Sequence, residues 1–153
     1  MKTGIVDPAL TRELRRSVLR PDVPIGATLP GDDLPHALHF GATTADGAVV
    51  STCFVYPEPC PWLPERVASW HLRQMATDPA HRGRRYAGDV VEAAVAHLRT
   101  LDAGLLWCNA REQAVPFYAR HGFLGEGAIF TDERHTIPHL RMWLELTGAP
   151  VSS

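Results

Sequence analysis

Residues 75–101 read MATDPAHRGRRYAGDVVEAAVAHLRTL, and this stretch joins a strand, a basic loop and a helix. Just before it, Trp70-His71-Leu72-Arg73-Gln74-Met75 alternates apolar and polar side chains as a half-buried strand does. The alternation then slips: Trp70 and Leu72 share one face and Met75 falls on the other. One extra residue in the strand, a β-bulge, would flip the later side chains and release backbone groups from the ladder. Asp78-Pro79 ends the strand. From Val90 the apolar positions Val90, Val91, Ala94, Val95, Leu98 and Leu101 form one stripe at helical period, so a helix is expected over 88–101. Between strand and helix lies His81-Arg82-Gly83-Arg84-Arg85-Tyr86-Ala87-Gly88. A small, basic loop opening a helix suits an anion, because unpaired N–H groups, the positive end of the helix dipole and arginine forks converge there.

Strands are also expected at 37–43 and 48–56, as a hairpin across Ala45-Asp46-Gly47, and at 67–75 and 104–108. Pro8–Leu19 reads as a first helix, with Leu10, Leu14 and Val18 on one face. Residues 21–35 are rich in Pro, Gly and Asp and have no core of their own, so an ordinary connecting loop is expected, with a segment draped over a site as the alternative. Residues 57–64 hold four prolines and Trp62 and form a stiff loop. Asn109-Ala110-Arg111 is a bend. A helix is expected from about Glu112 to Gly122, limited by Pro116 and capped by the glycine. Phe123 begins another strand, and Leu140–Leu146 is the last.

The bounds are those of one soluble domain. A chain of 153 residues can bury one sizeable core, and 45% hydrophobic with 21% charged residues is ordinary for a globular protein. The net charge of −2 gives no nucleic-acid surface. Cys53, Cys60 and Cys108 form neither a CxxC nor an even framework, which fits a reducing compartment. The opening MKTGIVDPALTREL lacks the apolar core of a signal peptide, and no run is long enough to span a bilayer; a cytoplasmic protein with no membrane partner is expected. His36/His39 and His135/His139 have metal-like spacing only on paper. No cysteine or carboxylate joins them at suitable spacing, and Pro138 rules out a regular helical pair, so no metal is expected.

Two signatures, in order, resemble the GCN5-related N-acetyltransferase (GNAT) family. The family's acyl-CoA loop, Gln/Arg-x-x-Gly-x-Gly/Ala, is similar to Arg82-Gly83-Arg84-Arg85-Tyr86-Ala87; Arg82 and Ala87 fit, and Arg85 stands where glycine is usual. The second signature is Leu106-Trp107-Cys108-Asn109-Ala110-Arg111, then Ala114, Pro116-Phe117-Tyr118 and His121-Gly122-Phe123. It resembles the family's strand, asparagine, tyrosine helix and Gly-Phe ending. The likeness spans most of the chain and includes Ala37–Ala42 and Ile137–His139, which are similar to one bacterial branch of the family.

The resemblance implies a single-domain α/β fold: a mixed, mostly antiparallel sheet, helices on both faces, and a central strand pair, 67–75 and 104–108, splayed to admit acyl-CoA. Residues 1–147 would be the N-acyltransferase domain and 148–153 a frayed C-terminal tail. It further implies an N-acetyltransferase with acetyl-CoA as co-substrate, acting on a primary amine of a small-molecule or peptide acceptor by direct attack in a ternary complex. A homodimer is allowed. The Met75 N–H would polarise the thioester carbonyl, with Ala76 and Thr77 along the pantetheine arm. The N–H groups of Arg82, Gly83, Arg84, Arg85, Tyr86, Ala87 and Gly88 would cradle the pyrophosphate. Asn109 would bond the pantetheine, with Phe117 also on the cofactor, unless Asn109 caps the next helix. Tyr118 would be the general acid for the leaving thiolate, unless it is packed as core. Some relatives place a carboxylate four residues before the carbonyl-binding position; here His71 stands there as the candidate base, with a water relay or a structural role as alternatives. Arg85 would either take a positive φ with strain or offer its guanidinium to phosphate. Glu58, Glu65, Glu126, Asp132 and Glu133 would suit a cationic amine. The alternatives in other classes are a non-catalytic acyl-CoA-binding sensor and a nucleotide-binding module; the second lacks a P-loop.

Overall fold

Asp7 and Pro8 open the first helix. The Asp7 carboxylate accepts the Ala9 N–H at 2.9 Å, and Pro8 occupies the first turn, where a missing N–H leaves no bond unmade. The computed structural model describes residues 1–147; the expected tail at 148–153 lies outside them. The order is β1 (Lys2–Ile5), α1 (Pro8–Leu19), β2 (Leu38–Thr43), β3 (Val49–Pro57), β4 (Ser69–Thr77), α2 (Tyr86–Thr100), β5 (Leu105–Arg111), α3 (Val115–Arg120), β6 (Leu124–Phe130) and β7 (His139–Glu145). One-turn 3-10 helices at Pro79–His81 and Glu112–Ala114 precede α2 and α3. The fold is α/β with a mixed seven-stranded sheet in the order β1-β2-β3-β4-β5-β7-β6. The described residues pack as two compact units: Met1–Pro57 with Leu72–Ala96, and Glu58–His71 with residues 97–147. β4 and α2 contribute to both.

In the first unit β1 pairs antiparallel with β2, and β2 with β3 through the expected hairpin. Gly47 turns that hairpin at φ 90°, a conformation that costs glycine little. β1 escaped the sequence pattern: KTGI is short and mostly exposed, and only its pairing with β2 makes it a strand. Phe40, Phe54, Val55, Leu72, Ala76, Val90, Val91 and Ala94 are buried. Leu101, expected on the apolar stripe of α2, lies past the helix end and is half exposed.

The buried side of α1 is not the expected one. Leu10 is 60% exposed, whereas Thr11 and Arg15 are fully buried. The reason lies in residues 21–35, which are not an ordinary connection. Leu29 is buried, and a Cβ on Gly31 would fall 2.3 Å from the Phe54 ring. Asp32 turns its carboxylate inward: Oδ1 accepts from Arg15 Nη2, while Oδ2 accepts from Arg12 Nε at 3.0 Å and from the Leu29 N–H at 2.8 Å. The ion pair outweighs the apolar stripe because a buried carboxylate must be met by charged donors.

In the second unit Ser69–His71 of β4 pairs parallel with Leu105–Trp107 of β5. β5 pairs antiparallel with β7 along its whole length, from Leu105↔Glu145 to Arg111↔His139, and β7 pairs antiparallel with β6. The bend expected at 109–111 is therefore strand: the ladder to β7 continues to Arg111 and holds the backbone extended. The helix expected from Glu112 begins as a 3-10 turn and becomes α-helical only at Val115. Gly122 at φ 91° ends it, with the Phe123 N–H bonded to the Tyr118 carbonyl at 3.1 Å. Cys60, Leu105 and Trp107 form a core cluster flanked by Trp62, Leu63 and Trp143. Arg66 clamps Glu145 with two bonds of 2.7 Å. Among the described residues no helix is long and apolar enough to cross a membrane.

Candidate active site

The loop into α2 is built from short local bonds. Asp78 accepts the Ala80 N–H at 3.0 Å, and its own N–H bonds the Val50 carbonyl at 2.8 Å, so the end of β4 stays tied to β3. A single 3-10 turn follows. Gly83 and Arg85 then both take left-handed backbone, at φ 78° and 66°. The Arg85 carbonyl accepts the Asp89 N–H at 3.0 Å, so Arg85 stands at the mouth of α2. Arg82, Gly83, Arg84 and Arg85 are exposed, and Tyr86, Ala87 and Gly88 open the helix. The helix begins two residues earlier than the apolar stripe suggests. Its first turn presents N–H groups and a positive dipole beside three arginines, an anion-binding arrangement. Arg85 thus takes the path a glycine would take, and the conformation is strained for a residue with a Cβ.

In β4, where a bulge is expected, Gln74 has φ 55° inside the strand. Met75 is half-buried, Ala76 is 2% exposed, and the Thr77 hydroxyl bonds the Ser51 hydroxyl at 2.9 Å. The Gln74 side chain is held at both ends: Oε1 accepts from Arg15 Nη1 at 2.9 Å and Nε2 donates to the Pro30 carbonyl at 2.7 Å.

In the second unit His71 is 8% exposed and stacks on the Trp107 indole, with centroids 3.6 Å apart and planes 9° from parallel. Its Nδ1 lies 3.1 Å from Glu58 Oε2, and Trp107 Nε1 donates to the Glu58 carbonyl at 3.0 Å. A proton on Nδ1 directed at this carboxylate leaves Nε2 as the nitrogen with the lone pair, the arrangement that orients an imidazole base. Asn109 lies in β5 opposite Arg141, three residues before the 3-10 turn, and does not cap that turn, whose N-cap is Arg111. Tyr118 on α3 is 4% exposed, edge-on to Phe117 at 5.1 Å and to Phe123 at 5.2 Å. Pro116 sits in the first turn of this short helix and Gly122 follows its end.

Sequence reading missed the partners. Glu58 was legible only as one of several acidic residues, because a contact across 13 positions leaves no local pattern. Gln74 left the signal of a parity slip but not its side-chain bonds. His135 and His139 are tied into local polar contacts. His135 Nδ1 meets Asp132 Oδ1 at 2.9 Å, and His139 Nδ1 bonds the Ile137 carbonyl at 2.7 Å. Among the described residues no group of three or more His, Cys, Asp or Glu could hold a metal ion.

Comparison with known proteins shows the family and the fold. The model of the Acetyltransferase (GNAT) family matches residues 10–123. The chain is 30% identical over 119 residues to the uncharacterized N-acetyltransferase YitI of Bacillus subtilis (strain 168), covering 76% of this chain and 78% of that one. Its fold is similar to that of the ribosomal-protein-S18-alanine N-acetyltransferase from Escherichia coli, with TM-score 0.72, 15% identity, and coverage of 99% of this chain and 97% of that one. It is also similar to an aminoglycoside 6'-N-acetyltransferase solved with coenzyme A, with TM-score 0.71, 13% identity, and coverage of 98% and 99%. The chain belongs to the GNAT acetyltransferase family. It is an acyltransferase, and the family's fold is one that binds acyl-CoA.

Proposed function

We propose that residues 1–147 form an N-acetyltransferase domain that moves an acetyl group from acetyl-CoA to a primary amine of a small molecule or peptide. The amine nitrogen attacks the thioester carbon, the C–S bond breaks, and coenzyme A leaves as a thiolate. The observation that carries this reading is the loop into α2: Gly83 and Arg85 are both left-handed, and a basic loop opens the helix with its N–H groups facing outward past Arg85, which supports an anion site there although arginine replaces the usual glycine. On this reading the N–H groups of residues 82–88 hold the pyrophosphate. The Met75 N–H polarises the carbonyl, Ala76 and Thr77 flank the pantetheine, and Asn109 and Phe117 contact the cofactor. His71, oriented by Glu58, takes the ammonium proton, and Tyr118 gives a proton to the thiolate. The exposed edge of the Glu58 carboxylate suits an acceptor that arrives as a cation. Buried thiols at Cys53, Cys60 and Cys108 support a reducing, cytoplasmic setting. A dimer is compatible with the reading and not required by it.

The test is a panel of amines assayed by released coenzyme A thiol, alongside thermal shifts with acetyl-CoA, desulfo-CoA and ATP. Acetyl-CoA and desulfo-CoA should raise the melting temperature with concentration, as mass action requires, and ATP should not match them. No shift at millimolar acetyl-CoA sinks the reading; a shift without turnover on any amine points to a sensor. In the same assay His71→Gln should lose the acidic limb of the kcat/KM profile, and an unchanged profile returns the base role to water.

A further inference from the structure

Arg15 is a long way in sequence from every residue of the family signatures, yet among the described residues it is the largest fully buried side chain. Its guanidinium is spent on three side chains. Nε donates to Thr11 Oγ1 at 3.0 Å, Nη2 to Asp32 Oδ1, and Nη1 to Gln74 Oε1 at 2.9 Å. The Asp32 side chain is 3% exposed. A buried ion pair is a weak stabiliser, because desolvation consumes most of the attraction. Its better-attested use is to specify one conformation among several. Here the third arm of the network ends on Gln74, the residue in β4 whose φ is 55°. A side chain with a Cβ does not hold that conformation by preference. The amide of Gln74 is clamped instead, by Arg15 on one side and by the Pro30 carbonyl, at 2.7 Å, on the other.

The peptide that follows Gln74 carries the Met75 N–H. Turning one strand residue from extended to left-handed rotates the next peptide plane out of the ladder, and this is how a bulge re-aims a backbone group. We propose that Arg15 and Gln74 are positioning residues for acyl transfer: the buried Arg15–Asp32 pair grips the Gln74 amide, holds the bulge left-handed, and so directs the Met75 N–H at the thioester carbonyl. The inference rests on the acetyltransferase reading, and it adds two residues that act without touching either substrate. The loop at 21–35 belongs to the same device, because Asp32 and Pro30 supply two of its four anchors.

The experiment separates side-chain grip from backbone conformation. Gln74→Ala loses both amide bonds but keeps the Cβ, so the bulge relaxes and the donor turns away. We expect kcat to fall on the order of 10- to 100-fold with little change in the KM for acetyl-CoA, since the pyrophosphate contacts lie elsewhere. Gln74→Gly loses the same bonds, but glycine takes the left-handed conformation without strain, so kcat should return most of the way to wild type. Arg15→Lys keeps the charge beside Asp32 but not the fork that bridges it to Gln74. It should lower kcat as Gln74→Ala does, and adding Gln74→Gly to it should recover the rate, a non-additivity that a purely structural arginine would not show. Wild-type kcat in Gln74→Ala, or a Gln74→Gly enzyme as slow as Gln74→Ala, overturns the proposal. If the wild type releases no thiol with any amine, the acetyltransferase reading has failed on its own. A crystal structure of Gln74→Ala then decides the conformational half: an extended residue 74 supports the grip, and a retained positive φ refutes it.

Discussion

On the proposed reading Tyr118 combines packing and proton donation on one ring. Its apolar body is packed edge-on to Phe117 and Phe123, so the phenol is held in one orientation by α3 and by the turn at Gly122. Orientation is what a general acid needs, because a proton donor contributes only when it meets the sulfur as charge develops. Tyr118→Phe removes the hydroxyl and keeps the ring. The expected result is a kcat loss of roughly 100-fold with a nearly constant KM for acetyl-CoA. Stability should change by no more than about 1 kcal/mol, the scale of one hydrogen bond. A raised KM with intact kcat would make the residue a binding group. Lost stability with normal turnover would make it core alone.

Among the elements, α2 owes its start to a residue in an unfavourable conformation. Arg85 at φ 66° sits where glycine would be relaxed. A left-handed residue with a Cβ costs about 1–2 kcal/mol, and part of any gain on replacement is returned through the more flexible unfolded chain. Arg85→Gly should therefore raise unfolding free energy by about 1 kcal/mol in a denaturant titration. Coenzyme A affinity in the same variant divides the two roles of the arginine. A more stable protein that binds coenzyme A about 1–3 kcal/mol more weakly identifies a guanidinium bound to phosphate. A more stable protein with unchanged affinity leaves only the backbone path. No gain in stability would remove the strain argument altogether.

For the whole molecule, the buried polar network sets a pH limit on folding. His39 on β2 is 3% exposed and stacks on Phe54 at 5.0 Å, and its Nδ1 has no hydrogen-bond partner among the described residues. Burial, and next the nearby Arg15 charge, lower its pKa to about 4. The folded state therefore refuses a proton that the unfolded chain accepts at the ordinary imidazole value of about 6.5. Stability from this group is complete above that value and is lost as pH falls toward 4, by roughly 3 kcal/mol over the window. Asp32 adds a loss of the same sign at lower pH: burial pushes its carboxyl up, but bonds from Arg15, the Leu29 N–H and Arg12 hold it below the usual range. Urea titrations between pH 7 and 4 should show the decline, and His39→Phe should flatten its upper part. Stability that stays level from pH 7 to 4.5 in the wild type would refute the assignment.

The lesson of the chain is where its information is local. Strand, basic loop and helix at 69–100, the hairpin across Asp46-Gly47, and the Tyr118 helix closed by Gly122 were legible, because period, turn chemistry and caps act over a few residues. The parity slip before Met75 pointed to the left-handed break at Gln74. What only tertiary structure decided is every partner far along the chain. β1 exists through its ladder to β2, and β5 runs on to Arg111 because β7 continues opposite it. The buried face of α1 is Thr11 and Arg15 because Asp32 lies folded beneath it, and Gln74 is left-handed in a strand with Arg15 and Pro30 on its amide. His71 meets Glu58 across a proline-rich loop. Hydrophobic period records which face is apolar; it holds no record of a carboxylate brought inward from a distant loop. A buried ion pair forms only where the fold supplies both charges together, and so its position belongs to the fold.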